Sequence, residues 1–308
     1  MDEFELIQRY FVREDESPGV VTGIGDDGAV TQADAGRELV TVIDTLVGTV
    51  HFPNDIDAAD VGYRAVAVNL SDIAAMGARP RWMTLSLTIP AADPDWLERF
   101  ATGLHQAAAE HGVVLIGGDT THGNDIVVCI QVTGDVETGK AILRSGASVG
   151  DVIYVTGTIG DAAAGLELIK QGAPDAFLAS RFLRPQARVE YGRTLVDTAS
   201  AAIDISDGFV GDLQKLLSAS GVGAEVDLDA LPLSDELTER FGAEAGLQFA
   251  MTGGDDYELC FTARPGVIKD TSDLRVAAIG KVTDSGELIL RNADGIVTLD
   301  DSGYRHFQ

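Results

Sequence analysis

Along the 308-residue chain, apolar positions recur first at helical spacing and then in alternation, switching many times. Asp2 to Phe11 reads as a short amphipathic helix, and Glu38 to Asp44 (ELVTVID) as a strand ending in a carboxylate. Residues 57–77 carry a helical stripe through Val61, Ala65, Val68, Asp72 and Met76, and Gly77 supplies the C-terminal stop. That stripe puts Asp72 on the buried face of its own helix. A strand at 81–90, a helix at about 94–112, a strand at 113–118 running into Gly-Gly-Asp and a strand at 126–136 complete the first half. Small residues at 145–151 (SGASVGD) form a linker, so the expected domains are 1–148 and 149–308. Beyond it the pattern predicts helices near 160–171, 175–183, 186–199 and 207–220. Strands are expected near 201–205, 223–228, 256–263, 274–283 and 286–291. This irregular alternation favours an α+β (mixed α/β) fold of two domains over a simple parallel sheet.

Composition narrows the picture. A hydrophobic fraction of 45% belongs to a globular protein rather than an acidic disordered tail. No apolar run approaches the ~18 residues of a membrane span. The start, MDEFELIQRYF, lacks the basic and apolar regions of a signal peptide. Cys129 and Cys260 lie far apart in apolar, strand-like contexts and read as buried free thiols. These features lead to the expectation of a cytoplasmic protein. With 22 basic against 49 acidic residues the formal charge is −27, which argues against a nucleic-acid partner. A solvated acidic surface explains Asp55, Asp57, Asp93 and Asp95, but not carboxylates set in glycine-rich or apolar segments.

Six such aspartates stand out: Asp27 (GIGDDGA), Asp44 (TVIDTLV), Asp72 (NLSDIAAMGA), Asp119 (LIGGDTT), and Asp204 and Asp207 (AIDISDG). Carboxylates within about 4 Å repel by roughly 4 kcal/mol per pair at an effective dielectric near 20, so gathering them requires cations. Oxygen ligands without clustered His or Cys point to several Mg2+ ions or another hard ion, and so to phosphate chemistry. All but Asp204 also have a plainer reading: an acidic turn for Asp27, a cap or turn for Asp44, a salt bridge for Asp72, a Gly-Gly turn for Asp119 and an N-cap for Asp207. The string Gly23-Ile24-Gly25-Asp26-Asp27-Gly28 matches a dinucleotide fingerprint, but no helix follows it and two carboxylates would face the phosphates. The Walker P-loop is absent. Arg144 is the main basic candidate for a phosphate, or else a surface ion-pair partner. His51, seven residues after Asp44 in a Gly-Thr-Val-His-Phe loop, is singled out from five histidines that show no zinc spacing. No nucleophile elbow or cysteine–histidine pair is present, which excludes the usual covalent hydrolases.

Taken in order, FELIQRYF, GIGDDGA, DTLV…HF, AVNLSDIAAMGA, LIGGDTT, LRSGA, YVTGTIGDAAAGL, AIDISDG, GGDDYELCF and GYRHF resemble the thiamine-monophosphate kinase family, within the aminoimidazole ribonucleotide synthetase superfamily. The resemblance implies an N-terminal ATP, metal and dimerisation domain and a C-terminal α/β domain that completes the site. It implies that Asp27, Asp44, Asp72, Asp119, Asp204 and Asp207 hold several Mg2+ ions. Gly118, Asp119, Arg144 and Ser206 would contact ATP, and His51, Asp255 and Tyr304 would contact thiamine monophosphate. The family usually has Glu at the position of Asp255, and hydroxyl residues at the positions of Val42 and Ile43, where a metal contact could here come only from the backbone. A homodimer through N-terminal sheet strands is implied, and strand 81–90 is expected to offer an apolar edge. Other superfamily branches fit less well: no cysteine precedes Cys129, the chain ends His-Phe-Gln, and Asp44-Thr45-Leu46-Val47 lacks the lysine of the purine enzyme. A nucleotide-binding regulator without turnover is the reading from another class, and the presence of all six aspartates counts against it.

Overall fold

The protein is described from a computed structural model covering residues 3–13, 18–269, 273–299 and 303. The chain forms two compact units, Met1–Ile73 with Ala78–Ala141, and Ala74–Gly77 with Ile142–Gln308.

The first unit holds α1 (Glu3–Tyr10), a small hairpin of β1 (Val20–Thr22) and β2 (Val30–Thr31), β3 (Arg37–Val47), α2 (Ala58–Ala75), β4 (Arg79–Ile89), α3 (Pro94–Glu110), β5 (Val114–His122) and β6 (Val127–Glu137). Its main sheet has the order β3-β6-β4-β5, with β4 parallel to β5 and the other pairs antiparallel. Alternation gives the sheet two unlike faces. Val40, Leu46, Val128, Ile130, Val132, Leu85 and Leu87 are buried on one. On the other, Leu39 and Ile43 remain 51% and 64% exposed. Helix α3 starts where Asp93 accepts a hydrogen bond from the Asp95 amide and Pro94 sets the first turn. Its Leu97, Phe100, Ala101 and Leu104 then form the buried stripe.

Strand β4 departs from expectation. It is hydrogen-bonded on both sides, to β6 and to β5, so it is an interior strand and not an exposed edge. Its continuous apolar run reflects burial within the sheet. Strand β5 runs on through Gly117, Gly118 and Asp119, where a strand ending in a turn was expected, and Asp44 lies inside β3 rather than at its end.

The second unit contains β7 (Val152–Thr156), α4 (Asp161–Lys170), α5 (Ala176–Leu183), α6 (Val189–Thr194), β8 (Ala199–Asp204), α7 (Phe209–Ser220), β9 (Gly223–Asp227), α8 (Asp235–Phe241), α9 (Ala243–Thr252), β10 (Leu259–Ala263), β11 (Val276–Thr283), β12 (Leu288–Asn292) and β13 (Gly295–Val297). A seven-stranded sheet in the order β13-β12-β9-β11-β7-β10-β8 is antiparallel except between β9 and β12. Ile153, Val155, Ile203, Cys260 and Ile279 of the sheet pack with Phe209, Leu213, Leu216 and Leu217 of α7. Helix 186–199 is shorter than its pattern suggests. It stops at Thr194, because Asp197 turns left-handed (φ 69°) and Ser200 is drawn into β8 by hydrogen bonds to Asp151 and Thr262.

Candidate active site

In the first unit Asp27 sits in the exposed turn between β1 and β2, where its amide donates to the Asp26 carboxylate at 2.8 Å. Register places Asp44 in a row with Ile130, Leu85 and Gly118, and Asp119 in the next row with Ser86 and Cys129. Alternation therefore sends half-buried Asp44 toward the core face and exposed Asp119 toward the open face. Asp72 is half-buried on α2, although Val61, Ala65 and Val68 of its stripe are each 2% exposed. At Gly118 an added Cβ would lie 2.0 Å from the Leu85 carbonyl oxygen, so the approach of β4 by itself requires glycine there.

His51 belongs to a tight turn after β3. Its Nδ1 accepts the Val47 amide at 3.0 Å, its own amide donates to the Val47 carbonyl at 2.9 Å, and Thr49 between them has φ 66°. A ring that accepts at Nδ1 carries its proton on Nε2 when neutral, which makes Nε2 a donor.

The second unit brings several expected residues onto adjoining segments. Asp204, 4% exposed, ends β8 opposite Leu259. The amides of Ser206 and Asp207 both donate to Asp212 Oδ2 at 2.9 Å. Lys215 Nζ donates to Asp207 Oδ2 at 2.6 Å and to Asp212 Oδ1 at 2.8 Å. Burial pushes the Asp212 carboxyl up, against the lowering effect of Lys215 and the Asp207 amide. Burial pulls Lys215 down, but Asp207 and Asp212 outweigh it and hold the ammonium above its ordinary value. Asp207 thus does not cap α7. Gly208 holds the N-cap position without a side-chain bond, and Asp212 reaches back from the first turn to order the loop. Sequence reasoning missed Asp212 and Lys215; an acidic residue in the turn after Ser-Asp-Gly was the available signal. Asp255 joins this loop, its amide donating to the Ser206 carbonyl at 2.9 Å. The exposed Arg144 lies on a segment pinned to the end of α7, where Ser220 Oγ donates to the Arg144 carbonyl and accepts the Gly146 and Ala147 amides. Tyr304 lies outside the described residues.

Behind Asp255 is a buried charge cluster that the sequence did not disclose. Glu258 accepts from Arg181 Nη2 (2.7 Å), Arg188 Nε (2.7 Å), Arg188 Nη2 (2.5 Å) and Thr156 Oγ1 (2.7 Å). Asp256 accepts the Gly160 and Ala162 amides at the start of α4, at 2.7 and 3.3 Å. Asp161 accepts from Ser234 and Thr158, both at 2.5 Å. Burial raises the carboxyls of both Asp161 and Asp256, against the lowering effect of their hydrogen bonds and of Arg181. Burial alone would lower Arg181, but Glu258, Asp256 and Asp161 hold its guanidinium above the usual value.

Among the described residues no three His, Cys, Asp or Glu side chains form a group able to hold a metal ion. Asp27, Asp44, Asp72 and Asp119 belong to the first unit, and Asp204 and Asp207 to the second. One observation does show a cation seat. The Lys215 ammonium lies between Asp207 and Asp212, where two carboxylates share one positive charge. That all-oxygen donor set suits a hard divalent ion.

Residues 25–136 match the family described as AIR synthase related protein, N-terminal domain, and residues 148–291 match its C-terminal domain. Over 320 aligned residues the chain is 45% identical to the thiamine-monophosphate kinase of Escherichia coli K12, covering 99% of this chain and 98% of the other. The Bacillus subtilis thiamine-monophosphate kinase is 34% identical, with both chains covered in full. The chain belongs to the thiamine-monophosphate kinase family. Its fold also matches solved structures. The thiamine-monophosphate kinase of Stenotrophomonas maltophilia K279a superimposes with a TM-score of 0.87 at 42% identity, covering 94% of this chain and 96% of that one. A structure described as AaThiL complexed with AMPPCP and TMP has a TM-score of 0.82 at 33% identity, covering 92% of each chain. Membership in the thiamine-monophosphate kinase family makes the chain an enzyme of the kinase class.

Proposed function

We propose that this enzyme transfers the γ-phosphoryl group of ATP directly to thiamine monophosphate, giving thiamine diphosphate and ADP. The observation that carries this reading is the match, over 92% of both chains, to a relative described with an ATP analogue and TMP. The acceptor is already a nucleophile. A phosphate monoester with a second pKa near 6 is mostly dianionic at pH 7, so its oxygen needs no strong base. That oxygen bonds to the γ-phosphorus as the bond to the ADP oxygen breaks, in line and without a phosphoenzyme.

The difficulty is anion meeting anion in a chain of charge −27. In this reading the Nε2–H of His51 donates to the substrate phosphate, and Asp255 with Tyr304 receives the cationic thiazolium or the aminopyrimidine. The exposed Arg144 guanidinium meets ATP phosphate, with Gly118, Asp119 and Ser206 along the nucleotide. Mg2+ would be held by Asp27, Asp44, Asp72, Asp119, Asp204 and Asp207, and when bound it supplies charge neutralisation for the triphosphate. Lys215, resting on Asp207, would exchange its partner when a divalent ion arrives.

The reading includes a cytoplasmic setting, which suits two free cysteines. It also includes a homodimer through the first unit, and the exposed Leu39 and Ile43 on the open face of β3 support that. Purified enzyme with ATP and Mg2+ should convert thiamine monophosphate to thiamine diphosphate, while thiamine and aminoimidazole precursors remain unchanged. ATP binding without any turnover would favour a regulator, and turnover of the aminoimidazole precursor alone would move the chain to another branch.

A further inference from the structure

The segment after α9 has an unusual backbone. Among the described residues four non-glycine residues have positive φ: Thr49, Asp197, Asp255 and Tyr257. Three of them lie in the loops of His51 and Asp255, the residues read above as substrate contacts. Left-handed non-glycine residues persist only where surrounding contacts impose them, and they concentrate at ligand clamps. At Tyr257 (φ 52°) the strain is greater in kind, because a bulky side chain rarely adopts this region.

The imposing contacts are visible. Asp256 and Glu258, 1% and 0% exposed, alternate with the two strained residues. Asp256 is fixed on the amides of Gly160 and Ala162, and Glu258 on Arg181, Arg188 and Thr156. On the backbone, Asp255 N donates to Ser206 O (2.9 Å), Tyr257 N to Ile205 O (2.8 Å) and Ile205 N to Glu258 O (2.8 Å). Gly254 lets this lacing close, since a Cβ there would lie 2.5 Å from the Ser206 carbonyl oxygen. Tyr257 is 8% exposed, and its hydroxyl donates to Asp255 Oδ1 at 3.1 Å.

We propose that Tyr257 is the positioning residue of the substrate loop: its hydroxyl fixes the Asp255 carboxylate in the orientation that receives the cationic, amino-bearing heteroaromatic end of the substrate. This rests on the reading of Asp255 as a substrate contact. The anchored carboxylates on either side of Tyr257 hold the backbone, and the phenol is hydrogen-bonded to the Asp255 side chain. A short acidic side chain gains most from such a hold. Its carboxylate turns about two torsions, and a donor to one oxygen restricts them before the substrate arrives.

The test is a cycle of Tyr257→Phe, Asp255→Ala and the double variant, with KM and kcat measured for thiamine monophosphate and ATP and a melting curve for each protein. Tyr257→Phe keeps the buried ring. It should raise KM for thiamine monophosphate roughly three- to tenfold, the scale of one typical net hydrogen bond. KM for ATP should stay within about twofold, a change of about 0.4 kcal/mol. In the Asp255→Ala background, removing the hydroxyl should add nothing, because Tyr257 acts through Asp255. Equal effects of Tyr257→Phe in both backgrounds, or none in either while Asp255→Ala raises KM, would overturn the positioning role alone. An unchanged KM for thiamine monophosphate in Asp255→Ala would overturn the substrate reading of Asp255 and the positioning role with it. A parallel rise in both KM values with a lowered melting point would reduce Tyr257 to a structural residue.

Discussion

Replacing Glu258 with Gln keeps shape and volume while removing a charge that the buried Arg181 and half-buried Arg188 guanidiniums share. Glu258 is 0% exposed and accepts four hydrogen bonds, three from Arg181 and Arg188 and one from Thr156. A carboxylate can accept all four; an amide offers one acceptor oxygen and turns its NH2 toward donors. Thr156 Oγ1 also accepts the Leu259 amide at 2.9 Å, so the disturbance reaches the first residue of β10. Breaking a buried pair by removing one partner costs about 3–5 kcal/mol, because the other charge is left uncompensated. For a domain of 150–250 residues each kcal/mol lowers Tm by about 2–4 °C, so Glu258→Gln should melt roughly 6–20 °C lower. The control is Glu190→Gln in the Arg193 pair, where the side chains are 79% and 42% exposed. That change should cost under about 0.5 kcal/mol. Differential scanning calorimetry on both variants decides the matter. A Glu258→Gln transition within about 2 °C of the parent, about 0.5–1 kcal/mol on the same scale, would refute the account of the cluster as a charge lock.

Three further outcomes follow from the same geometry. Gly118→Ala should lower stability by about 1–3 kcal/mol with no nucleotide present, because its Cβ meets the Leu85 carbonyl; an unchanged melt with only a raised KM for ATP would assign the glycine to the nucleotide instead. Asp256 has a folded-state pKa well above its unfolded value, so its contribution is full below about pH 4 and is lost as pH rises through the folded value. Denaturant unfolding across pH should therefore show the parent losing stability relative to Asp256→Asn as pH rises, and the opposite slope would contradict the assignment. Lys215→Met should melt lower than the parent in chelator, since Asp207 and Asp212 lose their shared cation, and should recover in millimolar Mg2+; an equal deficit with and without Mg2+ would remove this loop from the metal account.

What the sequence disclosed depended on how local the cause was. Helix α3 was legible because Asp93, Pro94 and the stripe from Leu97 to Leu104 are all local signals. Helices α8 and α9 were missed because each is short and Gly242 interrupts the pattern between them. Gly117 and Gly118 suggested a turn, but close pairing with β4 keeps them in a strand. The apolar run of β4 was visible, whereas its neighbours on both sides were not, so an interior strand was taken for an edge. The aspartates of glycine-rich motifs stood out in the sequence as candidates. Asp212, Glu258, Arg181 and Arg188 did not, because their roles come from partners distant in sequence or from a loop whose course only the fold reveals. The weak signal for Glu258 was a charge opening the apolar run Leu259-Cys260-Phe261.

The central claim is direct transfer between two small molecules, and a rapid-quench single turnover with γ-labelled ATP, Mg2+ and thiamine monophosphate tests it most directly. The account predicts that label moves from ATP to the terminal phosphate of thiamine diphosphate in one phase. Acid-denatured protein should carry no label at any time, as expected where the acceptor phosphate is itself the nucleophile. Label retained on the denatured chain and chased into product by thiamine monophosphate would contradict the account, as would release of labelled inorganic phosphate with no thiamine diphosphate formed.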